Sequence, residues 1–341
     1  MAVRSLVVQR PGEIDLLYRS EPTAGSMAEF GEIVVRPTVV GLCGTDLEII
    51  DGKVDPAFVR YPITLGHEWA GVTMSGGEGV PTGTPVVVEG IVPCRRCEHC
   101  VAGATNLCVD YDELGFTRDG AASDRIVVRA DLVHALSPRV DADDSALVEP
   151  AAVVYRALRR AGPRPGGRTL VVGDGTVALL AVHLLGLWSP SEVVVLGLRA
   201  EQSDLAKAAG ATRFDTDPSA AREDYDLVVE AAGSAEAVVT AVAAARRGGV
   251  VVQLGLAGHG VTAPIPVDDV VDHDLTILGS FGYTSSAWRE VVDLVNAGTL
   301  HPGFVVTHRF ALEGWSSAIE TLRGTEGPRG KVLLTIQEAP E

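Results

Sequence analysis

The sequence contains little lysine and few aromatic side chains, and its charge is strongly one-sided. Its lysines are Lys53, Lys207 and Lys331, and Phe, Trp and Tyr make up 5% of the 341 residues. Acidic residues (45) outnumber basic ones (28), which gives a formal net charge of −17. Such a field repels the phosphates of nucleic acids and anionic membranes. The composition therefore argues against a nucleic-acid partner and a membrane-surface partner.

The sequence also lacks a long uninterrupted apolar run. The first residues, MAVRSLVVQRPGEIDL, have neither the apolar segment nor the cleavage site of a signal peptide. The most apolar stretch, residues 169–188, holds Asp174 between two glycines, which disfavours a membrane-spanning helix. This stretch favours a buried strand, a turn and a buried helix. We therefore expect a cytoplasmic protein.

The hydrophobic pattern changes along the chain, which predicts two domains. Hydrophobic residues make up 46% of the sequence, enough for a sizeable core. Residues 1–149 show short alternating apolar runs between Gly and Pro, as in an antiparallel β-barrel. In residues 150–284, strand-like and helical runs alternate, which predicts a doubly wound α/β domain with a parallel sheet. Residues 285–341 are expected to return to the first domain.

Four of the five cysteines lie within fifteen residues, with the spacing C-x2-C-x2-C-x7-C. They are Cys94, Cys97, Cys100 and Cys108. In a reducing compartment, four thiolates at this spacing can surround one tetrahedral Zn²⁺, and an iron–sulfur cluster is the alternative. The lobe at 93–109 offers little core of its own, so a metal would hold it together. The spacing therefore predicts a structural metal site.

Cys43 stands apart from this lobe, in the motif GLCGTD that follows an apolar strand pattern. His67 and Glu68 follow in the motif GHE, twenty-four residues further along. A lone cysteine or histidine is more often a structural residue. Thiolate, imidazole and carboxylate are together the ligand types of a catalytic zinc, which keeps one position open for water or substrate. The three residues together predict a catalytic metal site.

A glycine-rich turn opens the α/β half of the chain. The strand-like run TLVVG leads into a G-x-G-x-x-A pattern, and a helical run follows. Its residues are Gly173, Asp174, Gly175, Thr176, Val177 and Ala178. In this pattern the first Gly allows a tight turn, the second admits a pyrophosphate, and the small third residue lets the helix pack on the strand. We predict a dinucleotide whose pyrophosphate binds at the helix N-terminus.

The end of the second strand of this half bears on the choice of cofactor. Proteins that bind NAD place a carboxylate there, about 20 residues past the glycine motif, to accept from the ribose 2′-OH. This chain has Gly197 at that place, and Arg199 follows. Glycine leaves room and arginine can pair with a 2′-phosphate, which favours NADP over NAD. The alternative is that Arg199 is solvated or stacks on adenine, and that NAD binds.

Five motifs follow one another in a characteristic order. They are GLCGTD at 41–46, GHEWAG at 66–71, the cysteine quartet at 94–108, LVEPAAV at 147–153 and VVGDGTV at 171–177. With them, nearly the whole chain resembles the zinc-dependent medium-chain alcohol dehydrogenases. Because Glu follows His67 and Glu149 lies in LVEP, the polyol, sugar and threonine dehydrogenase branch is most similar. The resemblance implies a GroES-like catalytic domain with a zinc lobe, a Rossmann domain, and one catalytic and one structural zinc.

The resemblance also implies the surroundings of the catalytic zinc. Cys43, His67, Glu68 and Glu149 would surround it, and because no cysteine is spare, a carboxylate completes the protein ligands. Glu68, Glu149 and a water are alternatives for the remaining coordination positions.

Three polar residues near Cys43 match further family positions. Thr45 matches a hydroxyl that relays the proton, or else it only shapes the loop. Asp46 is expected to orient His67, which is compatible with an N-cap role for the helix that follows. Glu48 matches a position that extends the relay or contacts a polar substrate, or else it is a solvated helix charge.

The implied activity is that of a dehydrogenase. The substrate hydroxyl binds the metal, its pKa falls, and the zinc alkoxide passes a hydride to NADP or NAD. Carboxylates around the metal favour a sugar, polyol or cyclitol as the secondary alcohol. The alternatives are an NAD-dependent amino-alcohol (threonine-like) or simple secondary-alcohol dehydrogenase and, more remotely, a zinc-free quinone or enone reductase or a nucleotide-binding sensor. We expect a homodimer or homotetramer, as among relatives.

Overall fold

The chain divides into two units that are not continuous in sequence. The computed structural model describes residues 2–25, 30–76, 79–221, 224–324 and 326–337. The first unit comprises Met1–Glu149, Thr284–Thr325 and Lys331–Glu341, and the second comprises Pro150–Tyr283 and Glu326–Gly330. The segment Glu326–Gly330 thus lies in the second unit, whereas the sequence pattern predicts that all of 285–341 returns to the first domain.

The described residues form sixteen strands and ten α-helices. The strands are β1 (Ala2–Arg10), β2 (Glu13–Ser20), β3 (Glu32–Leu42), β4 (Ile63–Thr64), β5 (Glu68–Thr73), β6 (Pro85–Val88), β7 (Ile126–Arg129), β8 (Val133–Ala135), β9 (Arg168–Val172), β10 (Glu192–Leu196), β11 (Arg213–Asp215), β12 (Tyr225–Glu230), β13 (Ala245–Gln253), β14 (Thr276–Gly279), β15 (Val306–Ala311) and β16 (Lys331–Thr335). The helices are α1 (Gly44–Asp51), α2 (Glu98–Val101), α3 (Ala142–Ala146), α4 (Val148–Ala161), α5 (Thr176–Leu185), α6 (Ser203–Ala209), α7 (Ala235–Ala244), α8 (Val267–Asp272), α9 (Ser285–Asn296) and α10 (Trp315–Arg323).

The central strand of the first unit is β3. It pairs antiparallel with β16, β5 and β7, in a sheet whose main order is β15-β16-β3-β5-β6-β8. A second sheet has the order β2-β1-β4. Side chains alternate between buried and half-buried along most of β3, as expected for a strand with one face on the core. Apart from the parallel pair β15–β16, these pairings are antiparallel, which confirms the predicted β domain.

The second unit contains a six-stranded parallel sheet. Its order is β11-β10-β9-β12-β13-β14, and every pair of neighbours is parallel. Numbered from β9, this is the order 3-2-1-4-5-6 of a Rossmann sheet. The inner strands are nearly continuous runs of buried residues, because helices cover a parallel sheet. The structure therefore confirms the predicted fold class of this half.

One predicted helix ends earlier than its composition suggests. The run AEAVVTAVAAARR is helical in character, but α7 ends at Ala244 and Ala245 begins β13. Ala245 pairs with Tyr225 on β12, and Arg246 donates to the Asp226 carboxylate at 2.6 Å. Sheet pairing and this ion pair therefore override the local helix propensity of the arginines.

The apolar stretch at 169–188 folds as predicted. It contains most of β9, the glycine turn and all of α5. In the part of the chain that the structure describes, no helix is long and apolar enough to cross a membrane.

A buried carboxylate ends β12 in the interior of the second unit. Glu230 has no exposed surface, and its Oε1 accepts from the backbone N–H groups of Ala232 at 2.9 Å and Gly233 at 2.7 Å. Its Oε2 has no hydrogen-bond partner among the described residues. Burial therefore raises the pKa of Glu230, because ionisation in this environment is disfavoured.

We expect this carboxyl to make stability depend on pH. Because the pKa is raised in the folded state, the folded chain binds more protons than the unfolded chain above pH ~4.5, so its stability falls as pH rises from there through the raised pKa. Urea unfolding between pH 5 and 8 should show that the parent chain loses stability relative to Glu230→Gln. Glu236→Gln, at an exposed position on α7, is the matched control. Parallel pH curves for the parent chain and Glu230→Gln would contradict this account.

Candidate active site

Strand pairing brings the predicted catalytic ligands together. Cys43 follows the last residue of β3, and Glu68 begins β5 directly after His67. In the β3–β5 register Gly41 pairs with Glu68, so the end of one strand lies beside the start of the other. One ligand atom from each of Cys43, His67 and Glu68 lies within 4.8 Å of the others. This spacing and donor set fit a single divalent metal ion.

Asp46 lies between the cysteine loop and the histidine. Its Oδ2 accepts from the Cys43 backbone N–H at 2.7 Å. Cys43 itself is the N-cap of α1, so Asp46 caps from the third helical position and is not the N-cap. Its Oδ1 lies 3.6 Å from His67 Nδ1, too far for a hydrogen bond, and among the described residues neither atom has another partner.

These unpartnered atoms fit a metal-bound imidazole. Burial raises the pKa of Asp46, while burial lowers the pKa of His67 but is outweighed by the charges of Asp46 and other neighbours. The pKa of His67 is thus raised well above its ordinary value, so the site favours positive charge on the ring. A metal ion would supply that charge in place of the proton, and Asp46 would orient the ring from behind.

A buried lysine that sequence patterns did not identify lies against Glu68. Lys331 Nζ donates to Glu68 Oε2 at 2.5 Å, and both side chains are almost fully buried. A Cβ at residue 41 would lie 2.5 Å from this oxygen, so any residue larger than glycine there would displace the Glu68 carboxylate from Lys331. Lys331 begins β16, whose next residue, Val332, pairs with Leu42 on β3. Lys331 reaches Glu68 only because β16 pairs with β3, which is far away in the sequence. No local motif could therefore have identified this lysine.

Two further carboxylates, those of Glu149 and Glu113, lie near the cluster but are not part of it. Glu149 is buried, which raises its pKa to about 8, and the charges of Glu68 and Glu113 act in the same direction. Among the described groups, Glu149 is not within the 4.8 Å cluster. Glu113, which sequence patterns also missed, has its pKa raised by burial and accepts from the Tyr111 hydroxyl. Of Glu68, Glu113 and Glu149, only Glu68 belongs to the cluster with Cys43 and His67.

The predicted relay residues lie on or beside α1. Thr45 is half-buried, with Oγ1 3.7 Å from Cys43 Sγ. Glu48 is half-buried one helical turn further along. The ring of Phe116 packs against His67 with a centroid separation of 4.9 Å, so an aromatic surface borders the imidazole.

The cysteine lobe presents four sulfur atoms to one point. The sulfurs of Cys94, Cys97, Cys100 and Cys108 lie within 4.8 Å of one another. Backbone N–H groups, first that of Val109, lower the pKa of Cys97 to about 6, while burial raises the pKa of Cys100 to about 12. A divalent cation would bring all four into the thiolate form, so the lobe fits a closed tetrahedral zinc site.

The glycine-rich turn of the second unit has the shape of a phosphate cradle. Gly173 has a φ of +123°, and a Cβ there would lie 3.0 Å from the backbone of Ala231. A Cβ at Gly175 would meet no atom within 4 Å, so this side of the turn is open. Thr176 and Val177 begin α5, and Ala178 is fully buried against the core. The open N-terminus of α5 fits the pyrophosphate of a dinucleotide.

The space at Gly197 is filled, contrary to the expectation that glycine leaves it open. A Cβ at Gly197 would lie 2.9 Å from Asp174 Oδ2 and 2.6 Å from the Phe214 ring. Asp174 Oδ2 accepts from the backbone N–H groups of Leu198 and Arg199, and its Oδ1 accepts from Arg199 Nη2 at 2.7 Å. A carboxylate from the glycine motif therefore occupies the end of β10, and it holds Arg199.

Comparisons with known proteins agree with this geometry. The family model of the alcohol dehydrogenase GroES-like domain matches residues 29–138, and that of the glucose dehydrogenase C-terminus matches residues 142–325. The chain is 30% identical over 318 residues to D-xylulose reductase A of Aspergillus niger, covering 87% of each chain. It is 30% identical over 304 residues to sorbitol dehydrogenase of Bacillus subtilis, covering 85% of this chain and 86% of that one.

A solved structure shows the same fold along almost the whole chain. It is a zinc-binding protein from Sinorhizobium meliloti 1021 with NADP bound, 26% identical, with a TM-score of 0.90 over 98% of this chain and 99% of the other. Both family models, the curated relatives and the fold agree with the motif order. The chain therefore belongs to the zinc-dependent medium-chain alcohol dehydrogenases, in the branch that contains polyol and sugar dehydrogenases.

Proposed function

We propose that this protein transfers a hydride between a secondary alcohol of a polyol or sugar and NADP. The observation that carries the proposal is the cluster of the half-buried Cys43 with the buried His67 and Glu68, whose donor set fits a catalytic zinc. Bound there, Zn²⁺ lowers the pKa of an alcohol hydroxyl and polarises a ketone. A zinc-free quinone or enone reductase has no need of this cluster.

The residues of the cluster and those around it would bind the metal, move the proton and orient His67. Cys43 and His67 would hold the metal, with Glu68 or Glu149 as the carboxylate that completes the protein ligands. Lys331 neutralises Glu68 when that carboxylate is not bound to metal. Thr45 Oγ1 would take the proton of the substrate hydroxyl, and Glu48 would carry it onward or contact a polar substrate. Asp46 would fix the orientation of His67.

The substrate class is proposed from the acidic surroundings and from the relatives. The buried Glu149 and the half-buried Glu113 add carboxyl groups near the cluster, and such groups can accept hydrogen bonds from the hydroxyls of a polyol. The curated relatives described above are named for xylulose and sorbitol. An amino alcohol such as threonine, oxidised with NAD, is the second substrate class to test.

NADP is proposed over NAD because the carboxylate that the described residues place at the end of β10 is already occupied by other donors. Asp174 lies there, but its oxygens already accept from two backbone N–H groups and from Arg199. The structural neighbour from Sinorhizobium meliloti has NADP bound. The lobe cysteines must stay reduced to bind a metal, which favours the cytoplasm.

A substrate panel tests the proposed activity directly. Purified, zinc-loaded protein should oxidise sugars, polyols or cyclitols with NADP faster than simple alcohols or threonine, followed by absorbance of the reduced cofactor. Failure on every hydroxylated substrate with both cofactors, in protein that contains two zinc ions per chain, would contradict the proposal.

Two cysteine substitutions separate the predicted metal sites. Cys43→Ser should lower the zinc content from two ions to one per chain and abolish turnover, with little change in the melting temperature. Cys100→Ser should also lose one zinc but should lower the melting temperature by several degrees, because the lobe has little core of its own. Metal analysis and thermal unfolding check both. An active Cys43→Ser variant would refute the catalytic site, and an unchanged melting temperature of Cys100→Ser would refute the structural one.

We also propose a homo-oligomer that forms at the edge strand β14. In the described part of the second unit, β14 pairs on one side only, with β13. Nearby apolar side chains are exposed: Val267 by 75%, Val271 by 74%, Ile277 by 41% and Phe281 by 46%. An unpaired apolar edge is a template for another strand, and a second copy of the chain would cover it.

A charge placed on this edge should prevent association. Ile277→Lys should halve the molar mass measured by light scattering after gel filtration, whereas Tyr18→Lys, at an exposed position of β2 in the first unit, should not. An unchanged mass of the Ile277→Lys variant would exclude this edge as the interface.

A further inference from the structure

The segment Glu326–Gly330 is fastened to the glycine-rich turn by one buried amide. Gln202 has no exposed surface. Its Oε1 accepts from the Arg329 backbone N–H at 2.8 Å, and its Nε2 donates to the Arg329 carbonyl at 2.9 Å. The same Nε2 donates to the Asp174 carbonyl at 2.6 Å. The backbone of Arg329 is therefore fixed beside the turn that would hold the cofactor.

This arrangement places two arginines around one carboxylate. Arg199 pairs with Asp174, and both charges act on the half-buried guanidinium of Arg329. Burial lowers the pKa of Arg329, and the positive charge of Arg199 lowers it further. Two arginines therefore lie beside the glycine-rich turn of a chain whose net charge is −17. Two like charges held together are stabilised by an anion.

The lone pairs of Asp174 are already in use. Its Oδ2 accepts from two backbone N–H groups at 3.0 Å, and its Oδ1 accepts from Arg199 Nη2 at 2.7 Å and Nε at 3.3 Å. A carboxylate offers about four acceptor positions. A ribose 2′-OH would have to displace one of these donors, whereas a 2′-phosphate would add acceptors for the arginines.

We propose that Arg329 acts with Arg199 as the subsite for the adenosine 2′-phosphate of NADP, with Asp174 orienting Arg199 and Gln202 holding Arg329 in place. Arg329 is then a specificity-determining residue that comes from the C-terminal part of the chain and not from the glycine motif or the strand after it. The proposal rests on the NADP preference proposed above.

Binding of cofactor fragments tests this subsite without any turnover. Isothermal titration calorimetry with 2′,5′-ADP and 5′-AMP isolates the 2′-phosphate. Arg329→Ala should weaken 2′,5′-ADP binding about tenfold or more, the usual effect of losing a charge-assisted hydrogen bond, and should leave 5′-AMP within about twofold. Arg329→Lys should recover part of the loss. Arg247→Ala, which removes an arginine of β13, is the matched control and should change neither affinity.

The double variant shows whether Arg329 itself binds the 2′-phosphate or only supports Arg199. Arg199→Ala/Arg329→Ala should bind 2′,5′-ADP more weakly than Arg199→Ala alone and should no longer distinguish it from 5′-AMP. Equal affinities of the double and the Arg199→Ala variants, or an equal loss for both ligands in Arg329→Ala, would overturn the role of Arg329 while leaving the NADP preference intact. If the parent chain itself does not prefer 2′,5′-ADP, the NADP preference fails together with this subsite.

Discussion

The site in the first unit depends on the antiparallel pairing of β3 with β5 and β16. That pairing places Cys43, the His67–Glu68 pair and Lys331 at one buried point. Several acidic groups are thereby held away from water, which is unfavourable unless cations accompany them. Lys331 supplies one positive charge beside Glu68, and the neighbouring acidic groups raise the pKa of His67. A divalent metal ion bound to His67 would supply further positive charge, and this is why a cluster so rich in acidic groups suits a metal ion.

In the second unit, the groups that matter most lie in and beside the glycine-rich turn. A Rossmann turn needs glycines where the backbone meets a pyrophosphate, and Gly173 and Gly175 meet that need in different ways. Gly173 is required by its positive φ and by its close approach to the backbone of Ala231, directly after β12, whereas Gly175 leaves open space. Asp174 lies between them and reaches the end of β10, where it fixes Arg199. The carboxylate that positions this arginine thus comes from the turn.

The short sequence Arg329-Gly330-Lys331 serves both units. Arg329 is bound by Gln202 within the second unit, and Lys331 pairs with Glu68 within the first. The chain therefore passes from one unit to the other between Arg329, whose backbone is held by Gln202, and Lys331, which pairs with Glu68. Neither residue belongs to any of the five recognisable motifs.

Local spacing along the chain was enough to predict the two kinds of domain, the cysteine lobe, the glycine turn and the triad of Cys43, His67 and Glu68. Each of these is a short-range pattern whose chemistry needs residue types at fixed separations. Lys331, Glu113 and the partners of Asp174 were not predictable in this way, because they reach their sites through strand register and burial across tens to hundreds of residues. The sequence by itself determined which candidate ligands are available. Only the tertiary structure decided which charged groups lie next to those ligands, because electrostatic energy depends on distance in space and on exclusion of water.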